Sequence, residues 1–196
     1  MTEYKPAKGG DEFLAKVGKL QESEKAVLRL LIKHNSALGV RTIRDYLVFE
    51  AAAEHQTELY QVLSEDGNIQ KLLNRIEVHK PIRGDIERLL ILYAILPDPE
   101  VVASGANPLT FHKKVSILEA AMKKYLKLSF FTWGRIKYAL DNLLELGFIE
   151  EVPGKLPGRE KGKVYGVKPK IFQLWQQRFD YLRDKPKTEA ERFWFG

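Results

Sequence analysis

The stretch from Val115 to Lys170 constrains this chain most. Within it, one strongly amphipathic helical pattern stops at a glycine and passes at once into two strand-like runs. Ile136, Leu140, Leu143 and Leu144 recur at helical spacing, so they share one face of a helix, and that face must be covered. Thr132 stands where an N-cap is needed and Gly147 where the chain must leave the helix, which predicts a helix over 132–146. Phe148-Ile-Glu-Glu-Val152 and Lys163-Val-Tyr-Gly-Val167 have the β-branched and aromatic content of strands. Between them, Pro153 to Gly162 contains two prolines and three glycines and reads as a turn or loop.

Charge singles out the same stretch. Residues 1–110 carry 14 Lys/Arg against 16 Asp/Glu, residues 111–170 carry 13 against 6, and residues 171–196 carry 5 against 4. The chain's formal excess of +6 therefore concentrates in one segment. A localised cationic surface is the electrostatic footprint of a nucleic-acid binder, because phosphates release condensed counterions when cations replace them. Placement carries this argument more than the overall balance does.

A length of 196 residues allows one large domain or two small ones, each with its own core. With no cysteine, the chain has no disulfides, thiolate metal sites or thiol nucleophiles. No apolar run is long enough to span a bilayer and the first residues lack a signal peptide's apolar core, so a cytoplasmic protein without membrane contact is expected, nucleoid-associated if prokaryotic.

Residues 1–10 read as a flexible arm. From Asp11 to Lys33 the apolar positions predict two helices, the second with Ser23 as N-cap, and helix resumes from Val40 through Glu50 with Ile43, Leu47 and Val48 inward. Thr57–Leu63 and Ile69–Val78 predict two more, giving an N-terminal helical domain over 11–82. Asp85 caps a helix from Ile86 to Leu96, a proline-rich loop follows, and a helix beginning near Thr110 or Val115 ends near Leu128 before the turn Ser129-Phe-Phe-Thr132. Glu24-Lys-Ala-Val-Leu-Arg-Leu-Leu-Ile32 is similar to Asp85-Ile-Glu-Arg-Leu-Leu-Ile-Leu-Tyr93, so a degenerate second copy in the first half, with Ile69 to Ile76 as its second helix, competes with a plain helical bundle. At the far end, Phe172, Trp175, Phe179 and Leu182 form one aromatic stripe that must be covered, by the domain itself or by a second subunit.

Leu118-Glu-Ala-Ala121, the Ser129 turn and the closing Leu143-x-x-x-Gly147-Phe-Ile149 resemble the winged helix-turn-helix proteins, over about residues 85–170. The resemblance implies a mainly α fold: a C-terminal winged helix-turn-helix of three helices plus a β-hairpin wing over 83–170, preceded by the helical domain and followed by an amphipathic helix and tail over 171–196. Regulators of this type often dimerise through a helix outside the helix-turn-helix, so a homodimer through the 171–182 helix is expected. Projecting helix 132–146 opposite its buried face leaves Gly134, Tyr138, Asp141, Asn142 and Glu145 outward, with Arg135 and Lys137 on the flanks. Such a helix enters the major groove by its cationic N-terminal half, where Arg135 reads guanine and Tyr138 or Asn142 makes base-edge or phosphate contacts. Lys155, Arg159, Lys161 and Lys163, with Lys168 and Lys170, make the 152–168 wing a backbone or minor-groove element. Lys123, Lys124 and Lys127 reach phosphates from the preceding helix, Thr132 completes the DNA-facing set, and Trp133 is expected to pack under the wing.

Signals of catalysis fail. Gly158-Arg-Glu-Lys-Gly-Lys163 has the wrong spacing for a phosphate loop, and Val164 stands where a metal-binding hydroxyl is required. His34, His55, His79 and His112 show no ligand spacing. The sequence thus points to a non-enzymatic, cofactor-free protein that binds double-stranded DNA sequence-specifically as a transcriptional regulator. The competing reading is a winged-helix interaction or assembly factor of the replication or transcription machinery.

Overall fold

The computed structural model describes residues 9–65, 91, 94, 95, 110–153 and 162–196. The described chain is mainly helical, with one small sheet. In chain order its elements are α1 (Gly9–Val17), α2 (Glu22–His34), β1 (Leu38–Gly39), α3 (Val40–Glu54), α4 (Gln56–Glu65), α5 (Phe111–Ala121) running into a π turn (Met122–Leu126), α6 (Trp133–Glu145), β2 (Ile149–Val152), β3 (Val164–Val167), α7 (Pro169–Leu182) and α8 (Glu189–Phe195).

These elements fall into two compact units: Met1–Arg44 with Phe131–Gly196, and Asp45–Phe130. The chain thus divides at 44/45 and 130/131, and the boundary expected at 82/83 lies outside the described residues. The reason lies in what covers α6. Its fully buried Ile136, Ala139, Leu140 and Leu143 pack against α2, whose Val27, Leu28 and Leu31 are equally closed to solvent. The helix expected over 111–128, which the winged-helix reading would place against it, belongs to the other unit. The sheet repeats the pattern. β2 and β3 form an antiparallel hairpin with Ile149 opposite Val167 and Val152 opposite Val164, and β1 adds to the other edge of β3 with Leu38 opposite Tyr165, giving the order β1-β3-β2.

The second unit buries Leu59, Leu63, Ile91, Leu118, Ala121 and Met122 in a core of its own. Here α5 begins after Thr110, and its π turn ends where Lys127 adopts a left-handed conformation (φ 56°).

Local chemistry explains the ends of the first unit's helices. At the start of α2 the cap is Gln21 rather than the expected Ser23, which lies inside the helix and is 1% exposed. The Glu24 carboxylate accepts from the Gln21 backbone N–H at 2.9 Å, satisfying a donor that the helix start leaves open. α6 ends in a Schellman arrangement: Gly147 at φ +75° donates to the Leu144 carbonyl at 3.0 Å, and Phe148 to that of Leu143 at 2.9 Å.

The aromatic stripe on α7 is covered within the chain. Thr188 and Glu191 form a capping box that starts α8, and the Trp175 indole donates to the Trp194 carbonyl at 3.0 Å while stacking on Phe179 and Phe195. Phe13 of α1 closes the cluster edge-on to Trp194. The stripe is thereby partly covered: Leu182 is buried, and Phe172, Trp175 and Phe179 are half-buried. The arm expected over 1–10 lies outside the described residues up to residue 8, and Gly9 and Gly10 already belong to α1. The expected helices over 69–78 and 86–96 and the proline-rich loop after them also lie essentially outside the described residues.

Candidate nucleic-acid interface

Grouping charge by folded unit rather than by sequence sharpens the electrostatic asymmetry. The first unit carries 22 Lys/Arg against 14 Asp/Glu, a net +8, and the second carries 10 against 12, a net −2. Cations on the first unit therefore act in a field of their own sign, which raises the local concentration of any polyanion.

The outward face of α6 belongs to that unit. Thr132 caps the helix, its hydroxyl accepting from the Arg135 backbone N–H at 3.2 Å, so this side chain is committed to fixing where the helix begins. Gly134, Arg135, Lys137 and Tyr138 are all exposed, Tyr138 at 56%. A Cβ placed on Gly134 would meet nothing within 4 Å. The Arg135 guanidinium lies 5.3 Å from the Phe131 ring, which orients it without neutralising it. Among the described residues no carboxylate pairs with Arg135 or Lys137.

Trp133 departs from expectation. It is 42% exposed rather than packed beneath the hairpin, and the Arg44 guanidinium sits over its ring at 5.2 Å. Sequence reading could not have found this pair, since its members lie far apart along the chain.

Asn142 is the clearest correction. Its carboxamide donates to Glu24 Oε1 at 2.7 Å, while the other oxygen of Glu24 holds the start of α2. Glu24 is 2% exposed, so this bond satisfies a buried carboxylate and ties α6 to α2. The side chain expected to read bases is thus engaged by Glu24, whereas Arg135, Lys137 and Tyr138 earlier in α6 are exposed.

On the hairpin, Lys163 is exposed and pairs with Glu151 on the neighbouring strand at 2.8 Å, which raises its ammonium above the usual lysine value and keeps it cationic. Lys155, Arg159 and Lys161 lie outside the described residues. Lys123, Lys124 and Lys127 belong to the second unit. There Lys123 bridges Glu119, Lys124 lies 5.0 Å from the Tyr125 ring, and Lys127 donates to the Lys124 carbonyl at 2.9 Å.

Among the described residues no three His, Asp or Glu side chains gather as metal ligands would, and no helix is long and apolar enough to cross a membrane. Comparison with protein-family models, with curated proteins and with solved structures finds no match to this chain.

Proposed function

We propose that the first unit is a winged helix that binds double-stranded DNA sequence-specifically and serves transcriptional regulation. In this reading α2, the start of α3 and α6 are its three helices. β1 joins the β2–β3 hairpin, and the hairpin is the wing. α6 enters the major groove by its N-terminal half, with Arg135 directed at base edges and Lys137 and Tyr138 at the groove wall. The wing lies along the backbone or in the minor groove.

One observation carries the reading: the outward face of α6 presents Arg135, Lys137 and Tyr138 together at the helix's N-terminal half, in a unit of net +8. The proposal draws on neither Asn142 nor the second unit's lysines, and it requires no second copy of the chain.

The test is a fluorescence-anisotropy titration of duplex DNA at several salt concentrations, comparing the native chain with Arg135→Ala plus Lys137→Ala. Each phosphate that the variant fails to neutralise should lower the log–log salt slope by about 0.9. Arg135→Ala alone should relax preference at one or two base pairs by about 1–3 kcal/mol with little loss on random duplex. If the native chain binds no duplex even at low salt, the DNA-binding reading is wrong.

A further inference from the structure

The first unit holds a cleft of about 660 Å³ at the opposite end of α6 from its exposed cations. Leu146 stands eleven positions after Arg135, roughly 16 Å along the axis, so the cleft is distinct from the α6 face proposed for DNA. Its floor is apolar: Leu20, Phe148 and Ile171 are each buried, and beside them Leu146 remains 57% exposed, the most exposed large apolar side chain described. Its rim carries Lys16, Lys19, Lys168 and Lys170. Among the described residues Glu12 alone opposes them, and it bridges Lys16 at 3.0 Å. That bridge and the nearby Lys170 ammonium hold the Glu12 carboxyl below the usual glutamate range. Among the described residues, more positive charge lines the cleft than Glu12 can answer.

We propose that this cleft binds a small amphipathic anion, one carboxylate or sulfonate head on an apolar body. The volume falls within the span of about 300–1,000 Å³ typical of small-molecule sites, and an apolar floor with a few charged groups at the rim is their usual composition. The apolar body covers Leu146, which the fold leaves bare, and the head meets the lysine rim. A polyhydroxylated or purely ionic ligand would leave its own polar groups unpaired against Leu20, Phe148 and Ile171. The cleft also adjoins both roots of the hairpin. Leu146-Gly147-Phe148 is where α6 becomes β2, and the Lys168 N–H donates to the Phe148 carbonyl at 3.0 Å where β3 leaves for α7. A ligand seated there rests on the segment that carries the wing.

The proposal stands independently of DNA binding, since its test contains no DNA. Isothermal titration calorimetry of the full chain would use decanoate below its micelle concentration, with decyltrimethylammonium as the same-length cationic control. Decanoate should bind saturably with one-to-one stoichiometry, and the cation should not. Lys19→Met with Lys170→Met, both at exposed positions, should weaken decanoate by about tenfold or more, as expected when charge-assisted hydrogen bonds to the head are removed. Leu146→Ser should weaken it through the apolar body instead. Absence of saturable decanoate binding, equal binding of the cation, or native affinity in both variants would each overturn the proposal.

Discussion

The first unit is assembled from both ends of the described chain: α2 covers α6, β1 extends the hairpin, and α8 covers the aromatic stripe of α7. The second is one continuous stretch, 45–130, helical where described and slightly acidic. Charge read along the chain peaks over 111–170, yet five lysines of that peak, at 113, 114, 123, 124 and 127, belong to the acidic unit. Charge read by folded unit falls instead on the one that contains the sheet. Electrostatic surface is a property of folded neighbourhoods, so a cationic run along a sequence locates an interface only when that run folds as one piece.

The largest expected effects test whether the two cores are separate. Leu140→Ala removes a side chain that is 1% exposed and should cost about 2–5 kcal/mol, with amide exchange accelerating in α2, α6, β2 and β3 and not in α4 or α5. Met122→Ala, at a fully buried site of the other core, should show the converse pattern. Equal acceleration in both units from either variant would break the division.

A smaller effect sharpens the role of α6. Asn142→Ala leaves a buried Glu24 oxygen without its partner and should lower stability by about 1–3 kcal/mol by chemical denaturation. Duplex affinity of the folded variant should stay near native. An affinity loss with unchanged stability would return Asn142 to the reading face.

The smallest effect is acid-linked and confined to the first unit. The Thr188 backbone N–H, with Arg178 and the Thr188 hydroxyl, holds the Glu191 carboxyl below its ordinary value of 4.5. A carboxyl lowered in the folded state contributes stability that is present above 4.5 and is lost as pH falls through the lower folded value. Near-ultraviolet dichroism of the Trp175 and Trp194 cluster should therefore weaken below about pH 4.5, and Glu191→Gln should flatten that dependence. An identical acid profile in the variant would remove Glu191 from the account.

What the sequence revealed was local. Thr132, the apolar spacing from Ile136 to Leu143, Gly147 and the two strand-like runs lie within 40 residues, and each is decided by near neighbours, so α6 and the hairpin were legible with their ends. The covering of α6 was not. β1 is two residues long and has no periodicity to detect, and Asn142 meets Glu24 across 118 residues, so helical projection alone placed it outward. Arg44 and Trp133 were hidden for the same reason. The covering of the Trp175 stripe did leave a signal: Thr188-Glu-Ala-Glu191 is a capping box that marks the start of the covering helix.

Gly134→Glu tests the central claim most directly. The site lies in the first turn of α6, is exposed and has open space around it, so the carboxylate enters without a clash. Replacing glycine in a helix should leave stability unchanged or raised by up to about 1 kcal/mol, aided by a negative charge at the helix N-terminus. The same carboxylate would face phosphates if this face enters a groove. Anisotropy titration of a duplex should then show affinity reduced by about tenfold or more in a variant at least as stable as the native chain. Native affinity in Gly134→Glu would contradict the account, because no helix could lie in the groove by this face and accept a charge there without loss.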